Sequence, residues 1–481
     1  MIQRTPRREF LRQSVWGAAA LAAPLALTRC GREAPPKRPN ILFCISDDQS
    51  YPHAGAYGCD WVKTPGFDRV AREGVLFNNA FVSTPSCCPS RGSVLTGQAF
   101  YRLREASMNH TVWPTNGPAV YTDILAEAGY HVGHTGKGWG PGNWRVSGRA
   151  TNPAGPAYSD ITLDPPGEHV EPVDYAANFD AFLAKRAPDQ PFCFWAGFVE
   201  PHRPYEDGIG IRHGKDPAAV EVPGFWPDAK EIRGDIADYA FEIEHYDRHL
   251  ARMLDALDKL GELDNTIVVV TGDNGMPFPR AKASLYDYGI RVPLAIRWGG
   301  KVQPGRVVED FVSFTDFAPT FLEAAGLPIP DDMTGRSLMS VLNAPGSGQI
   351  DQARDHAVVG IERHFPGSRP NGAGYPMRAI RTKEYLYIRN YTPDATPAGD
   401  HPGPSWPPGE PVGGFGDTDG GPTKTYLWEH CSGDTKVYCD AAFAKRPAEE
   451  LYLVASDPYS LKNVADDPAR AAIKLQLAER L

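Results

Sequence analysis

Four oxygen-bearing residues, Asp47, Asp48, Asp273 and Asn274, form two pairs far apart in the chain. Each pair directly follows an apolar run that reads as a buried parallel strand, Asn40-Ile41-Leu42-Phe43-Cys44-Ile45-Ser46 and Asn265-Thr266-Ile267-Val268-Val269-Val270-Thr271. Adjacent polar residues in a loop are commonly turn residues. Delivered from the C-terminal ends of two core strands, however, they meet at the edge where open α/β sheets bind ligands. Three carboxylates and an amide, with no histidine or thiolate, suit a hard cation; flexible loop ligands favour Ca²⁺, with Mg²⁺ the poorer fit.

Two more candidates follow strands. Lys137 stands in Gly136-Lys137-Gly138-Trp139-Gly140, where flanking glycines let an ammonium approach a ligand closely; away from such an edge a loop lysine is simply solvated. His202 stands in Glu200-Pro201-His202-Arg203-Pro204 after the run Phe192 to Val199. The prolines fix the backbone at little entropic cost, and the position suits a general acid, although a structural histidine would read the same way.

Ser86-Cys87-Cys88-Pro89-Ser90-Arg91-Gly92-Ser93-Val94-Leu95-Thr96-Gly97 follows a strand at residues 75–82. If Pro89 starts a helix, as its fixed φ favours, Arg91 lies one turn after Cys87 and holds it in place. A lone cysteine here would be a buried thiol with Cys88 as its packing neighbour. A thiolate metal site fails on ligand count, because two adjacent cysteines lack the second pair that structural zinc needs.

Helices are expected at 64–73, 120–128 and 236–260. The last carries Ile243, Tyr246, Leu250, Met253 or Leu254, and Leu257 at helical spacing, with Gly261 as its cap. Cys44 and Cys193 read as core. Alternating strands and helices predict an α/β fold, a large mixed but mostly parallel sheet flanked by helices. Asn343-Ala344-Pro345-Gly346-Ser347-Gly348 reads as a linker. The expected organisation is therefore residues 1–38 as export signal and tether, 39–343 as catalytic domain, and 350–481 as a smaller C-terminal α+β domain.

The 481 residues carry a formal charge of -10, with 42% hydrophobic and 22% charged residues, which is ordinary globular composition. Such a balance argues against nucleic acid or an anionic membrane as partner. Arg7-Arg8-Glu9-Phe10-Leu11-Arg12 before an alanine-rich apolar run reads as a twin-arginine signal peptide, too short for a membrane span. Export to the periplasm or beyond follows, with no integral span after processing. Leu27-Thr28-Arg29-Cys30 offers a possible lipid anchor at Cys30, although Arg29 stands where a small residue is expected. In an oxidising compartment Cys431 and Cys439 close a small disulfide loop or stay as two free thiols.

Cys87-x-Pro89-Ser90-Arg91 with Leu95-Thr96-Gly97 resembles the maturation signature of the formylglycine-dependent sulfatases, in the alkaline-phosphatase-like superfamily. The resemblance extends over nearly all of the chain beyond residue 38, through the Asp47-Asp48 pair, Lys137, His202, Asp273-Asn274, Lys282, residues 286–293 and the Glu450-Leu451-Tyr452 segment. It implies that a formylglycine-generating enzyme oxidises Cys87 to an aldehyde. Hydrated, the aldehyde has one hydroxyl to attack sulfur and a second to expel sulfate afterwards. It implies Ca²⁺ on Asp47, Asp48, Asp273, Asn274 and an oxygen of the modified Cys87, Lys137 and Lys282 on the sulfate oxygens, and His202 near the leaving group. Cation and lysines then stabilise charge in transfer.

One position departs from the family. A histidine is common two residues after the lysine matching Lys137, and here Trp139 stands there, which leaves His110 and His134 as candidates for moving protons. Gly275-Met276-Pro277-Phe278-Pro279 is similar to the heparan N-sulfatase branch. The expected substrate is a sulfated glycan such as a heparan sulfate fragment, cut at an O- or N-sulfate, with Arg203 and Arg280 meeting its other anionic groups. The alternatives are a phosphonate monoester or phosphodiester hydrolase of the same superfamily, and a non-catalytic glycan-binding surface protein.

Overall fold

A computed structural model describes residues 37–403 and 411–481. The expected export signal and Cys30 lie outside the described residues. Residues 38–481 form one compact unit.

A seven-stranded sheet organises that unit. Its strands are β1 (Asn40–Ser46), β2 (Val75–Phe81), β4 (His131–Gly136), β6 (Phe192–Gly197), β7 (Thr266–Gly272), β8 (Leu294–Trp298) and β9 (Arg306–Ser313); β3 (Thr111–Val112) and β5 (Gly142–Asn143) make a separate small pair. The order is β4-β6-β1-β7-β8-β2-β9, and β8 runs antiparallel to both its neighbours while the other pairings are parallel. This is the expected mixed, mostly parallel sheet.

Continuous apolar runs are explained by burial on both faces. Ile41, Phe43 and Ile45 of β1 and Ile267 and Val269 of β7 enter one core. Leu42, Cys44, Val268 and Val270, pointing the other way, enter a second. Fully burying each such side chain contributes about 1.5–3 kcal/mol. Cys44 and Cys193 are core residues on opposite faces. The long helix spans Lys230–Lys259, beginning six residues before its expected start, and Gly261 follows it at φ 66°. Its buried stripe includes Ile243, Tyr246, Leu250, Met253 and Leu257.

The C-terminal part forms an antiparallel sheet, β10 (His356–Ile361), β11 (Met377–Thr382), β12 (Tyr385–Asn390) and β13 (Glu449–Leu453), in that order, with a final helix Ala471–Arg480. The glycine-rich stretch before it is tied down: Gly348 N–H donates to Val307 O and its carbonyl accepts from Glu309 N–H, so the stretch pairs with β9. Cys431 and Cys439 form a disulfide.

Candidate active site

The site lies where β1, β4, β6 and β7 end. Each of these parallel strands hands its next residues to one edge: Asp47-Asp48 from β1, Lys137 from β4, His202 from β6 and Asp273-Asn274 from β7. Lys137 N–H donates to Gly197 O at 2.7 Å, and a Cβ on Gly197 would lie 1.8 Å from the Lys137 carbonyl, so this crossing requires glycine.

The helix Cys87–Thr96 starts at Cys87 itself, with Ser86 as N-cap, rather than at Pro89. Pro89 fits in the first turn because its missing N–H would have had no helical partner there. Every residue of this helix is buried. Its N-terminus therefore presents Cys87 to the cluster, with Sγ 3.9 Å from Asp48 Oδ1. Arg91, fully buried one turn on, is a brace: Nε lies 2.7 Å from Asp273 Oδ2, Nη1 donates to Lys137 O at 2.6 Å, and Nη2 is 3.8 Å from Asp47 Oδ1. Ser90 Oγ adds a bond to Asp273 O at 2.6 Å. Arg91 thus fixes the spacing of three loops around Cys87.

Ligand atoms of Asp47, Asp48 and Asp273 lie within 4.8 Å of one another, as do those of Asp47, Cys87 and His202. Lys137 Nζ pairs with Asp47, and Lys282 Nζ lies 2.6 Å from Asp48 Oδ2 and 3.2 Å from Asp419 Oδ2. Burial would raise Asp47, but Lys137, His202 and Arg91 together hold it well below the carboxylate range. Burial lifts Asp48 to about 7 against the pull of Lys282, and burial with the Asp47 charge lifts Asp273 to about 7. Crowded carboxylates that cannot all ionise together are what a cation would relieve. Asp47 Oδ1 and Asn274 Oδ1 are fully buried and accept no hydrogen bond, so both are available to a hard ion.

His202 Nδ1 donates to Arg203 O at 2.6 Å, which turns Nε2 towards Asp48 Oδ2 at 3.7 Å. Burial and Lys282 lower its pKa to about 4, so at neutral pH Nε2 carries a lone pair and would need a proton before it could act as an acid.

Some expectations change. Arg203 Nη2 pairs with buried Asp235 at 2.7 Å, Nε donates to Pro277 O, and the guanidinium stacks on Phe278. Arg280 donates to Ala441 O and Ser460 O and lies over the Tyr286 ring. Both are committed to internal partners, so the expectation that they bind the sugar is corrected. His134 Nδ1 donates to Gly155 O at 2.9 Å inside the β4 edge and does not reach the cluster. Trp139 is buried edge-to-face against Trp113, 5.1 Å between centroids, in the core beneath the helix. His110, by contrast, stands among Lys282, Lys137, His202 and Asp419, whose charges act on it, with burial holding its pKa to about 4.

The sequence reading missed His364 and Asp419. His364 Nδ1 lies 2.9 Å from Ser86 Oγ at the N-cap of the Cys87–Thr96 helix, and both His364 and Asp419 are buried beside Lys282. Asp419 sits in Gly416-Asp417-Thr418-Asp419-Gly420-Gly421, which reads as an ordinary turn.

Residues 39–327 match the family described as Sulfatase, and residues 280–396 match the family described as N-sulphoglucosamine sulphohydrolase, C-terminal. An ulvan-active sulfatase of Formosa agariphila is 28% identical over 92% of this chain and 78% of its own length. The N-sulphoglucosamine sulphohydrolase of Homo sapiens is 27% identical over 92% and 89%. A solved protein in complex with its substrate D-glucosamine-2-N,6-O-disulfate superposes with a TM-score of 0.66 at 20% identity, over 92% of this chain and 97% of that one. The phosphonate monoester hydrolase of Agrobacterium radiobacter gives 0.64 at 19%, over 92% and 94%. The Sulfatase match covers more than half of the chain and the four buried strand ends that build the site, so this chain belongs to the sulfatase family and is a sulfuric ester hydrolase.

Proposed function

We propose that the enzyme removes sulfate from a sulfated saccharide, with the N-sulfate of a glucosamine unit as its preferred bond. The C-terminal family match and the human relative that hydrolyses N-sulphoglucosamine support the finer reading. One observation carries the chemistry: Cys87 opens a wholly buried helix against three carboxylates and two lysines.

Conversion of Cys87 to formylglycine by a generating enzyme would supply a hydrated aldehyde as nucleophile, and Ca²⁺ would supply positive charge beside it. Asp47, Asp48, Asp273 and Asn274 would hold the ion, together with an oxygen of the modified Cys87. Arg91 keeps Asp273 and the Lys137 loop in register with the helix. Lys137 and Lys282 offer ammonium groups to sulfate oxygens, a preorganised electrostatic contribution. His202 Nε2, beside Asp48, is placed to exchange a proton with the departing group. The twin-arginine segment and the Cys431–Cys439 disulfide support export to an oxidising compartment. No helix among the described residues is long and apolar enough to cross a membrane.

The test is mass spectrometry of the Cys87 peptide from protein co-expressed with a generating enzyme, followed by release assays. Aldehyde at Cys87 and faster release from N-sulfoglucosamine than from an aryl phosphonate are expected. An unmodified Cys87 in active protein, or a preference for the phosphonate, overturns the proposal.

A further inference from the structure

Lys282 is held between two carboxylates of different origin. Asp48 comes from the strand edge, whereas Asp419 comes from the C-terminal part, 3.2 Å from Nζ. The metal site accounts for Asp48. Nothing in it requires Asp419, whose charge is sensed by Lys282, His202 and His364 and whose buried Oδ2 meets Lys282 Nζ as an ion pair and no other donor among the described residues.

The segment bearing Asp419 is built rather than loose. Asp417 accepts from Phe365 N–H, Ser368 Oγ and Arg369 Nη1, all within 2.8 Å. Lys424 Nζ donates to the carbonyls of Gly414, Phe415 and Thr418. Beyond Asp419, Thr423 Oγ1 and N–H both donate to Asp235, the carboxylate that also holds Arg203. A Cβ on Gly421, at φ 152°, would lie 2.4 Å from Arg203 Nη1. The His202 loop and the Asp419 segment are thus locked to each other, and His364 locks the same wall to Ser86. A carboxylate placed beside a sulfate-binding lysine weakens anion binding. A ligand group that carries hydrogen-bond donors would offset that cost.

Resting on the sulfatase reading, we propose that Asp419 is a specificity-determining residue: it accepts hydrogen bonds from the nitrogen of the amino sugar that leaves when sulfate is cut, and so selects an N-sulfated substrate over an O-sulfated one. An ammonium or amine N–H matches a buried carboxylate acceptor, while an alcohol leaving group offers one donor and no charge. His202, assigned to the departing group, and Lys282, assigned to the sulfate oxygens, are the groups whose charges act on Asp419.

The assignment predicts effects of opposite sign. In Asp419→Asn, inorganic sulfate should inhibit aryl sulfate turnover several-fold more tightly, because Lys282 loses an anionic partner. Glucosamine should inhibit about tenfold more weakly, and kcat/KM for N-sulfoglucosamine should fall about tenfold further than for an aryl sulfate. Asp419→Glu should restore part of the glucosamine affinity. If Asp419 only kept Lys282 in place, both inhibitors would weaken together, and that result overturns the inference. Should Asp419→Asn fail to fold, wild-type protein decides: glucosamine must inhibit at least about tenfold better than 2-deoxyglucose, and equal inhibition overturns the assignment. Wild-type protein that turns over no aryl sulfate at all would instead remove the sulfatase reading on which this rests.

Discussion

The edge of the large sheet and the C-terminal segment beside it build one site by different means. The sheet edge supplies Asp47, Asp48, Lys137, His202, Asp273 and Asn274 from strand ends, where position along a strand fixes where each side chain emerges. The C-terminal part supplies His364 and Asp419 from irregular backbone, held by a hydrogen bond to Ser86 and an ion pair to Lys282 far back in the chain, and by nearer ion pairs and carbonyl clamps. A sheet edge is dictated by local pattern and is suited to shared chemistry. A braced loop is dictated by tertiary contacts and is suited to choice of substrate.

The largest effect should come at the nucleophile position. Cys87→Ala should cost roughly 10³-fold or more in kcat. Cys88→Ala should keep most of the activity, since Cys88 Sγ points to the Pro141 carbonyl rather than into the cluster. Equal losses in the two variants would move the nucleophile away from Cys87.

Chelation tests the strand-end ligands next. Treatment with a chelator should abolish sulfate release and lower the Tm, and Ca²⁺ at about 100 times its Kd should restore about 2.7 kcal/mol of stability. Mg²⁺ should restore less, and rescue by Zn²⁺ alone would contradict an all-oxygen donor set.

The brace between the two regions comes third. Arg203→Ala leaves buried Asp235 without its guanidinium, a loss worth about 3–5 kcal/mol. Urea unfolding should show it, and Asp235→Asn combined with Arg203→Ala should recover part of it. A variant of full stability with a raised saccharide KM would return Arg203 to the sugar-binding role that its internal bonds argue against.

The smallest effect, counted per pH unit, concerns pH. His53 and His245, buried away from the cleft, are both held at about 3 by burial. The unfolded chain protonates them near 6.5. Between about pH 6.5 and 3 the unfolded state therefore binds more protons, and each histidine removes about 1.4 kcal/mol of stability per pH unit as pH falls. His245→Gln should flatten the dependence of Tm on pH in that window. An unchanged slope would show that His245 is protonated in the fold.

Arg203 and Arg280 show why part of the site was illegible. Both follow strand-end motifs and carry the charge an anionic glycan would want, yet each guanidinium finds internal acceptors on segments that sequence spacing does not connect: Asp235 on the long helix, Ala441 and Ser460 near the C-terminus. Trp139 was legible as a departure but not as a core residue, because its indole turns to Trp113.

By itself the sequence determined what local physics determines. Period and burial pattern specify the strands, the residue after each strand specifies the donor type at the edge, and the Cys87 to Gly97 signature marks the residue proposed as nucleophile. Tertiary structure alone decided which charges are spent and which remain for a ligand. Ion pairing depends on distances of a few ångströms between segments far apart in the chain. Asp419, 137 positions after Lys282, became part of the site only because Asp417, Lys424 and Asp235 anchor its loop there.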